Sequence, residues 1–333
     1  MTAQQRGTVT QLARQLAGQQ LGWGEVQRLA DEHGVLAHSL RAAISRARAE
    51  ALARGWDILE GGQADPGGPG GGDPLDPPAA LAPAMDQPLD LDLACWAYAS
   101  DFHSPHHNVA WTKRLAYTLD QRGVDTLVIG GDFFDFAVPS RHPRTVPAVP
   151  LEDGLAVAGK LLRWLAALVD RVVIIPGNHC LRITAALGEP VEFRRVVGMA
   201  LCDDWPRDSL GRSKLTITSL DYVHITSGGQ PWTVGHPRWF SAQPGKGVSQ
   251  VATLKQRHII GAHNHIVGMV RSACGRYWAI DPGHMTDPSL HAYHRQSDGL
   301  SKYPAWSNGF VVVEDGRPTL YADGLVDWPD RLR

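Results

Sequence analysis

The chain has 333 residues, 43% hydrophobic and 20% charged, which fits one large globular domain plus an appendage and argues against a disordered chain. A formal net charge of −2 argues against a protein that coats nucleic acid with its whole surface. Four scattered cysteines (Cys95, Cys180, Cys202, Cys274) without a CxxC pair argue against a disulfide framework or a zinc knuckle. There is no signal-type apolar core and no run of the ~18 apolar residues that a membrane span needs, so the expectation is a soluble, cytoplasmic protein with no membrane partner.

In chain order, residues 8–54 read as helices. Leu12, Leu16, Leu21, Val26, Leu29 and Ala30 recur with a broken helical period; a short helix from Glu25 to His33 stops at Gly34, and a longer one runs through Leu40, Ile44 and Ala51. Two helices joined by a tight glycine-containing turn resemble a helix-turn-helix unit. The second carries Arg41, Arg46 and Arg48, and over residues 1–56 seven arginines face four acids. Residues 1–58 are therefore expected to form a small all-α domain that contacts nucleic acid; the alternative is a helical bundle for assembly, with the oligomeric state open. Residues 59–90, dominated by Gly, Pro, Ala and Asp, cannot bury a core and read as a linker. Residues 91–333 form the main domain.

There strand and helix patterns alternate: strands over 93–100, 126–129 and 172–175, helices over 111–122 and 155–169. This is the order of βαβ units around a central sheet. Short strands then dominate, over 214–218, 222–226, 232–234, 258–260, 276–280 and 310–313. Residues 126–129 are apolar and mostly β-branched, as in a strand buried on both faces, and Gly130-Gly131 break the run ahead of Asp132 and Asp135.

Five of these strands end in metal-type side chains. Asp101-Phe102-His103 follows the first, Asp132 and Asp135 the second, Asn178-His179 the third, His236 the strand at 232–234, and His263-Asn264-His265 the strand at 258–260. Open α/β sheets place ligands at the carboxyl ends of their strands. Asp and His two residues apart project to one side of an extended segment, which suits a joint grip on one ion, and the same is expected of His263 and His265. Singly, each residue reads as a turn former or a hydrogen-bonded surface group; five such strand ends in one chain point to metal. A mixed nitrogen and oxygen set with one carboxylate free to bridge suits Mn, Fe or Zn in a two-metal site.

In the order Asp101-x-His103, Gly131-Asp132-x-x-Asp135, Gly177-Asn178-His179, His236 and His263-x-His265, residues 93–325 resemble the calcineurin-like metallophosphoesterases. The resemblance implies an α/β fold, a four-layer αββα sandwich, here preceded by the small all-α domain. It implies hydrolysis of a phosphoester substrate at a dinuclear centre. Asp101, His103 and His265 would bind the first metal, Asn178, His236 and His263 the second, with Asp132 bridging both. His179 would stand by the leaving group as acid or charge stabiliser. Two divalent cations are implied, Mn foremost, with Fe, Zn, Ni or Mg as alternatives.

Three features depart from the pattern or compete within it. His224 competes with His236, which is preferred because it ends its strand as the other ligands do. Cys180 stands where the family has Asp or Glu to orient the histidine before it; a thiol accepts hydrogen bonds poorly, so His179 is expected to be loosely placed and of lowered pKa. Gly261-Ala262-His263 inserts one residue before the histidine pair. Arg182 is a candidate phosphate clamp, His106 and His107 candidate substrate contacts, and residues 136–150 (with Arg141, His142 and Arg144) a candidate cover. The expected activity is that of a phosphodiesterase, nuclease or phosphatase on nucleic acid. One alternative is a phosphatase on a small molecule or phosphoprotein; a second is a non-catalytic DNA-binding or scaffold protein with a vestigial metal site.

Overall fold

Two strand sets with the same chemistry, apolar on alternate or on all positions, decide the architecture. In the computed structural model the described residues are 8–9, 11–12, 23–35, 40, 43–44, 87–136, 149–188, 191–239, 241–291, 306–329 and 332. The chain divides into two units, residues 1–87 with 209–211, and residues 88–208 with 212–333.

In the first unit, helix α1 (Trp23–Glu32) overlaps the short helix expected from Glu25 to His33 and is followed by Gly34 at φ 61°. Val26 and Ala30, one helical turn apart, are buried with Val9, Val35, Leu40, Ala43 and Ile44 in one small apolar cluster. Apart from Leu40, Ala43 and Ile44, the second expected helix lies outside the described residues, including Arg41, Arg46 and Arg48. So do most of the 59–90 linker and residues 137–148 of the expected cover.

The second unit contains β1 (Asp90–Asp92), β2 (Cys95–Ala99), α2 (Val109–Arg122), β3 (Thr126–Gly130), α3 (Leu151–Leu168), β4 (Arg171–Ile175), α4 (Arg182–Leu187), α5 (Phe193–Leu201), β5 (Leu215–Ile217), β6 (Tyr222–Ser227), β7 (Gln230–Gly235), α6 (Lys246–Lys255), β8 (His258–Gly261), β9 (Gly268–Arg271), β10 (Trp278–Asp281), β11 (Gly309–Glu314) and β12 (Arg317–Ala322). One six-stranded sheet has the order β12-β11-β2-β3-β4-β5 and the other β1-β6-β7-β8-β10-β9. In the first, β2, β3, β4 and β5 are parallel; in the second, β7, β8 and β10 are parallel. β1 begins at Asp90, paired with His224, so the last residue of the expected linker already belongs to a strand.

The period-two alternation of the first sheet sorts its side chains between two cores. Ala97, Ala99, Leu127, Ile129, Val172, Ile174, Phe310 and Val312 pack with α2, α3 and α5. Trp96, Tyr98, Val128, Val173, Ile175, Val311 and Val313 point the other way and meet Val223, Ile225, Trp232, Val234, Ile260 and Ile280 of the second sheet. The far face of that sheet, Ile259 and Ala279, packs on Val248 and Ala252 of α6. Helices, sheet, sheet and helix thus follow in layers. Helix α2 is started by Asn108, whose side chain accepts the N–H of Trp111, and ended by Gly123 at φ 61°. Among the described residues no helix is long and apolar enough to cross a membrane.

Candidate metal centre

The carboxyl ends of β2, β3, β4, β7 and β8 converge, and with them the side chains that follow each strand. Asp101 lies at the middle. Its Oδ1 is 3.0 Å from His265 Nε2, 3.2 Å from His236 Nε2 and 3.7 Å from His103 Nε2, while Oδ2 accepts the Ser100 hydroxyl at 2.9 Å and the His263 backbone N–H at 3.2 Å. Asp132 Oδ2 is 3.4 Å from His236 Nε2, and its Oδ1 accepts the His179 backbone N–H at 2.7 Å. His103 and His265 bring their Nε2 atoms to 3.3 Å of each other.

The route to this convergence differs from the extended segments expected at Asp101-x-His103 and His263-x-His265. Asp101 (φ 52°), His103 (46°), Asp132 (44°), His263 (85°) and His265 (61°) all sit in the left-handed region, so each loop coils tightly rather than running straight. Non-glycine residues there cost on the order of 1–3 kcal/mol apiece and persist where the surroundings over-determine them. Two glycines allow the close approach. A Cβ on Gly177 would lie 2.2 Å from Asp132 Oδ1, and one on Gly131 would lie 2.4 Å from the His236 ring.

Three groups place a ligand atom from each member within 4.8 Å of the others: Asp101, His103 and His265; His103, Asp132 and His179; Asp132, His236 and His263. Asn178 Oδ1 is buried with no hydrogen-bond partner, an acceptor awaiting a positive group. Imidazole nitrogens and carboxylate oxygens crowd with few donors between them, the chemistry of a transition-metal site. Burial alone would lower the imidazoles, yet Asp132 and the hydrogen bond to Asp101 raise His236 to about 10, and hydrogen bonds to Asp101 and Asp135 raise His103 to about 9. The site is strongly negative in its demand. A divalent cation fits it.

Beside this cluster runs an arm that the Cys180 departure had put in question. His179 is not loosely placed: its Nδ1 lies 3.0 Å from Asp135 Oδ1, the carboxylate of the Gly131-Asp132-x-x-Asp135 motif. Asp135 Oδ1 also meets His103 Nδ1 at 3.2 Å. Despite burial, those two imidazoles hold Asp135 well below the usual carboxylate range. The pKa of His179 is lowered to about 4, as expected, but by burial and then by the charge of His103 rather than by Cys180. Cys180 is fully buried in the helix-side core, and burial pushes its thiol up to about 12. Arg182 completes the arm: one guanidinium nitrogen donates to His179 Nε2 at 2.6 Å and another to the Asp135 carbonyl at 3.1 Å.

His106 reaches the edge of the cluster through His291, whose ring centroid is 5.4 Å from that of His106 and 5.5 Å from that of His103. His107 makes no hydrogen bond or ring contact with the cluster among the described residues and instead bridges Thr286. His224 lies on β6, its Nδ1 3.0 Å from Thr233 Oγ1, apart from the cluster that holds His236. The sequence reading missed His284, His291 and Trp306. Trp306 stands edge-on to His265 at 4.2 Å, and His284 is buried 5.1 Å from the same ring. For His284 a signal existed, because β10 is followed by Pro282-Gly283-His284, a strand–glycine–histidine order like that of the other loops.

The profile of the calcineurin-like phosphoesterase family matches residues 97–285, which include Asp101, Asp132, Asn178, His236, His263 and His265. No curated protein matches the chain. Solved structures similar to it include YfcE, a phosphoesterase from E. coli, at 18% identity over 66% of this chain and 88% of that one, with a TM-score of 0.34. Wild-type Vps29 from Entamoeba histolytica complexed with zinc is 13% identical over 70% and 96%, with a TM-score of 0.36. A cold-active protein-tyrosine phosphatase from a psychrophilic Shewanella is 11% identical over 71% and 82%, with a TM-score of 0.34. The family match spans more than half of the chain: it belongs to the calcineurin-like phosphoesterases and is a hydrolase of phosphoester bonds.

Proposed function

We propose that this hydrolase works with two divalent cations, Mn foremost, on a phosphoester of nucleic acid. The observation that carries the reading is the position of the two carboxylates between facing histidine groups, with Asp132 belonging to both the His103 and the His236 side. Asp101, His103 and His265 would hold one cation, Asn178, His236 and His263 the other, and Asp132 would bridge them. When bound, such cations supply a water of lowered pKa as nucleophile and offset charge on the phosphoryl oxygens.

The chain's own groups do the rest. Asp135 fixes the proton of His179 on Nδ1, which leaves Nε2 as an acceptor for Arg182. While Arg182 donates there, His179 is no acid, so this geometry favours its role as charge stabiliser: His179 positions a guanidinium that can clamp phosphate through its remaining N–H groups. Loop 237–241 supports a nucleotide substrate. Trp239, 46% exposed, and exposed Arg238 follow His236 within three residues, at most roughly 11 Å of chain. Asn264, between His263 and His265, accepts the Ser241 N–H at 3.1 Å and ties that loop to the centre. An exposed aromatic residue a few positions from a metal-type ligand would suit a nucleobase next to its phosphate. The arginines of residues 1–58 would add salt-sensitive contacts. A phosphatase acting on a small molecule or phosphoprotein, with residues 1–58 serving assembly, is the second reading.

The test compares a chromogenic phosphodiester with its monoester on chelator-treated protein given back Mn, Zn, Mg, Ni or Fe(II). Turnover restored by metal, preferring the diester and extending to oligonucleotides, is expected. Turnover confined to the monoester and indifferent to oligonucleotide competitor favours the second reading. For the nucleic-acid contact, replacing Arg41, Arg46 and Arg48 together by Ala should flatten the salt dependence of DNA binding by about three phosphate contacts.

A further inference from the structure

We infer that His284 is a positioning residue for the metal centre: it is the acceptor for the ring N–H that His265 turns away from the cation. The inference rests on the two-cation reading above and adds a residue to it.

Each histidine fixes its own tautomer. His265 turns Nε2 inward, 3.0 Å from Asp101 Oδ1 and 3.3 Å from His103 Nε2. A neutral imidazole that gives its Nε2 lone pair to a cation carries its proton on Nδ1. That Nδ1 is buried and has no hydrogen-bond partner. His284, fully buried past the end of β10, has its Nδ1 3.1 Å from the Thr286 carbonyl and 3.2 Å from the Asn308 amide nitrogen; facing a carbonyl oxygen, that ring nitrogen is assigned the proton. Asn308 holds the same turn from the other side: its amide donates to the carbonyls of His284 (3.0 Å) and Thr286 (2.8 Å). Its hydrogens are thereby used, so it does not compete for His284 Nδ1. His284 Nε2 is left as a bare acceptor, and it too is buried with no partner.

One unpartnered donor and one unpartnered acceptor therefore sit on adjacent rings, with centroids 5.1 Å apart and planes at 43°. Trp306 packs against both, at 4.2 Å from His265 and 5.4 Å from His284, and shields them from bulk water. On this reading, reorientation of one ring or a bridging water would join the two atoms. Metal-bound histidines almost always hand their second N–H to such an acceptor, which fixes ring orientation and raises ligand basicity.

The test measures cation affinity on the full chain, by competition with a chromogenic chelator for Mn or Zn, independent of turnover. His284→Phe keeps a flat aromatic ring and removes the acceptor; it should weaken one of two binding events by about 10–100-fold. His284→Gln, whose amide oxygen can accept, should recover part of that loss, a rescue that simple packing does not predict. Should the Phe variant fail to fold, the wild-type protein loaded with zinc decides: nitrogen-resolved NMR should find the proton of His265 on Nδ1, protected from exchange, and that of His284 on Nδ1. A proton on His284 Nε2, or unchanged affinity in both variants of a protein that binds two cations, overturns the inference alone. If wild type binds no cation, the two-cation reading falls, and this inference with it.

Discussion

The two halves of the site satisfy their polar atoms in opposite ways. In the outer arm each contact is a closed donor–acceptor pair: His179 to Asp135, Arg182 to His179 and to the Asp135 carbonyl. In the inner cluster like atoms crowd. Two imidazole Nε2 atoms stand 3.3 Å apart, three imidazoles share one oxygen of Asp101, and Asn178 Oδ1 has no partner. A polar set closed by protein alone is stable as it stands, whereas buried acceptors without donors are costly until something positive arrives. The inner cluster is therefore the half expected to respond to a bound cation, and the arm the half that protein groups close.

Asp132→Asn should break this contrast most severely, because Asp132 belongs to two of the ligand groups, one with His103 and one with His236 and His263. Turnover should fall at least about a thousandfold, the several kcal/mol that a Lewis-acid ion supplies to the transition state. Added Mn should also raise the unfolding temperature less than in wild type. Turnover within tenfold of wild type, with the Mn effect intact, would erase the distinction between cluster and arm.

Asp135→Asn probes the joint between the halves, since one oxygen meets both His103 Nδ1 and His179 Nδ1. Turnover and cation affinity should each drop about 10–100-fold, as for other groups that orient a ligand. Lost turnover at unchanged affinity would assign Asp135 wholly to the arm. Arg182→Lys keeps a charge but loses the planar fork that reaches His179 and Asp135 together. Here kcat/KM should fall about tenfold, the worth of one charge-assisted hydrogen bond, with cation affinity unchanged. A parallel loss of cation affinity would show that the arm also supports the cluster.

What could be read from the sequence followed the same division. Strands such as β3 and β4 were legible because unbroken apolar runs, 127–129 and 172–175, fill them, and the five strand-end loops because Asp, Asn or His recurs there. β1 (Asp-Leu-Asp) and β9 are too short and mixed to show a period, and β1 is a strand only because β6 pairs with it. The amphipathic spacing of α5, with Phe193, Val196, Val197, Ala200 and Leu201 buried, was present in the sequence and not used. The His179–Asp135 bond spans 44 residues and was not legible: residue 180, the neighbour in sequence, was the natural place to seek the orienting group. His291 follows a short 3-10 turn over 288–290 and Trp306 precedes β11, so neither falls at the carboxyl end of a strand where the pattern would announce it.

Cys180 should have the smallest effect, and it tests where the orientation of His179 comes from. If the residue after Gly177-Asn178-His179 positioned the imidazole, its side chain would contact that ring. Instead the Cys180 side chain is buried among the apolar residues beneath β4, and Asp135 supplies the carboxylate. Cys180→Ala should therefore cost roughly 1 kcal/mol of stability, for a lost buried sulfur, and leave turnover within about twofold of wild type. Cys180→Asp, which restores the family's usual acid, should not raise turnover, because a carboxylate there is buried in the apolar core and repelled by Asp132. A gain of activity in the Asp variant would mean that the arm is not complete as it stands and that Asp135 only partly replaces the missing acid.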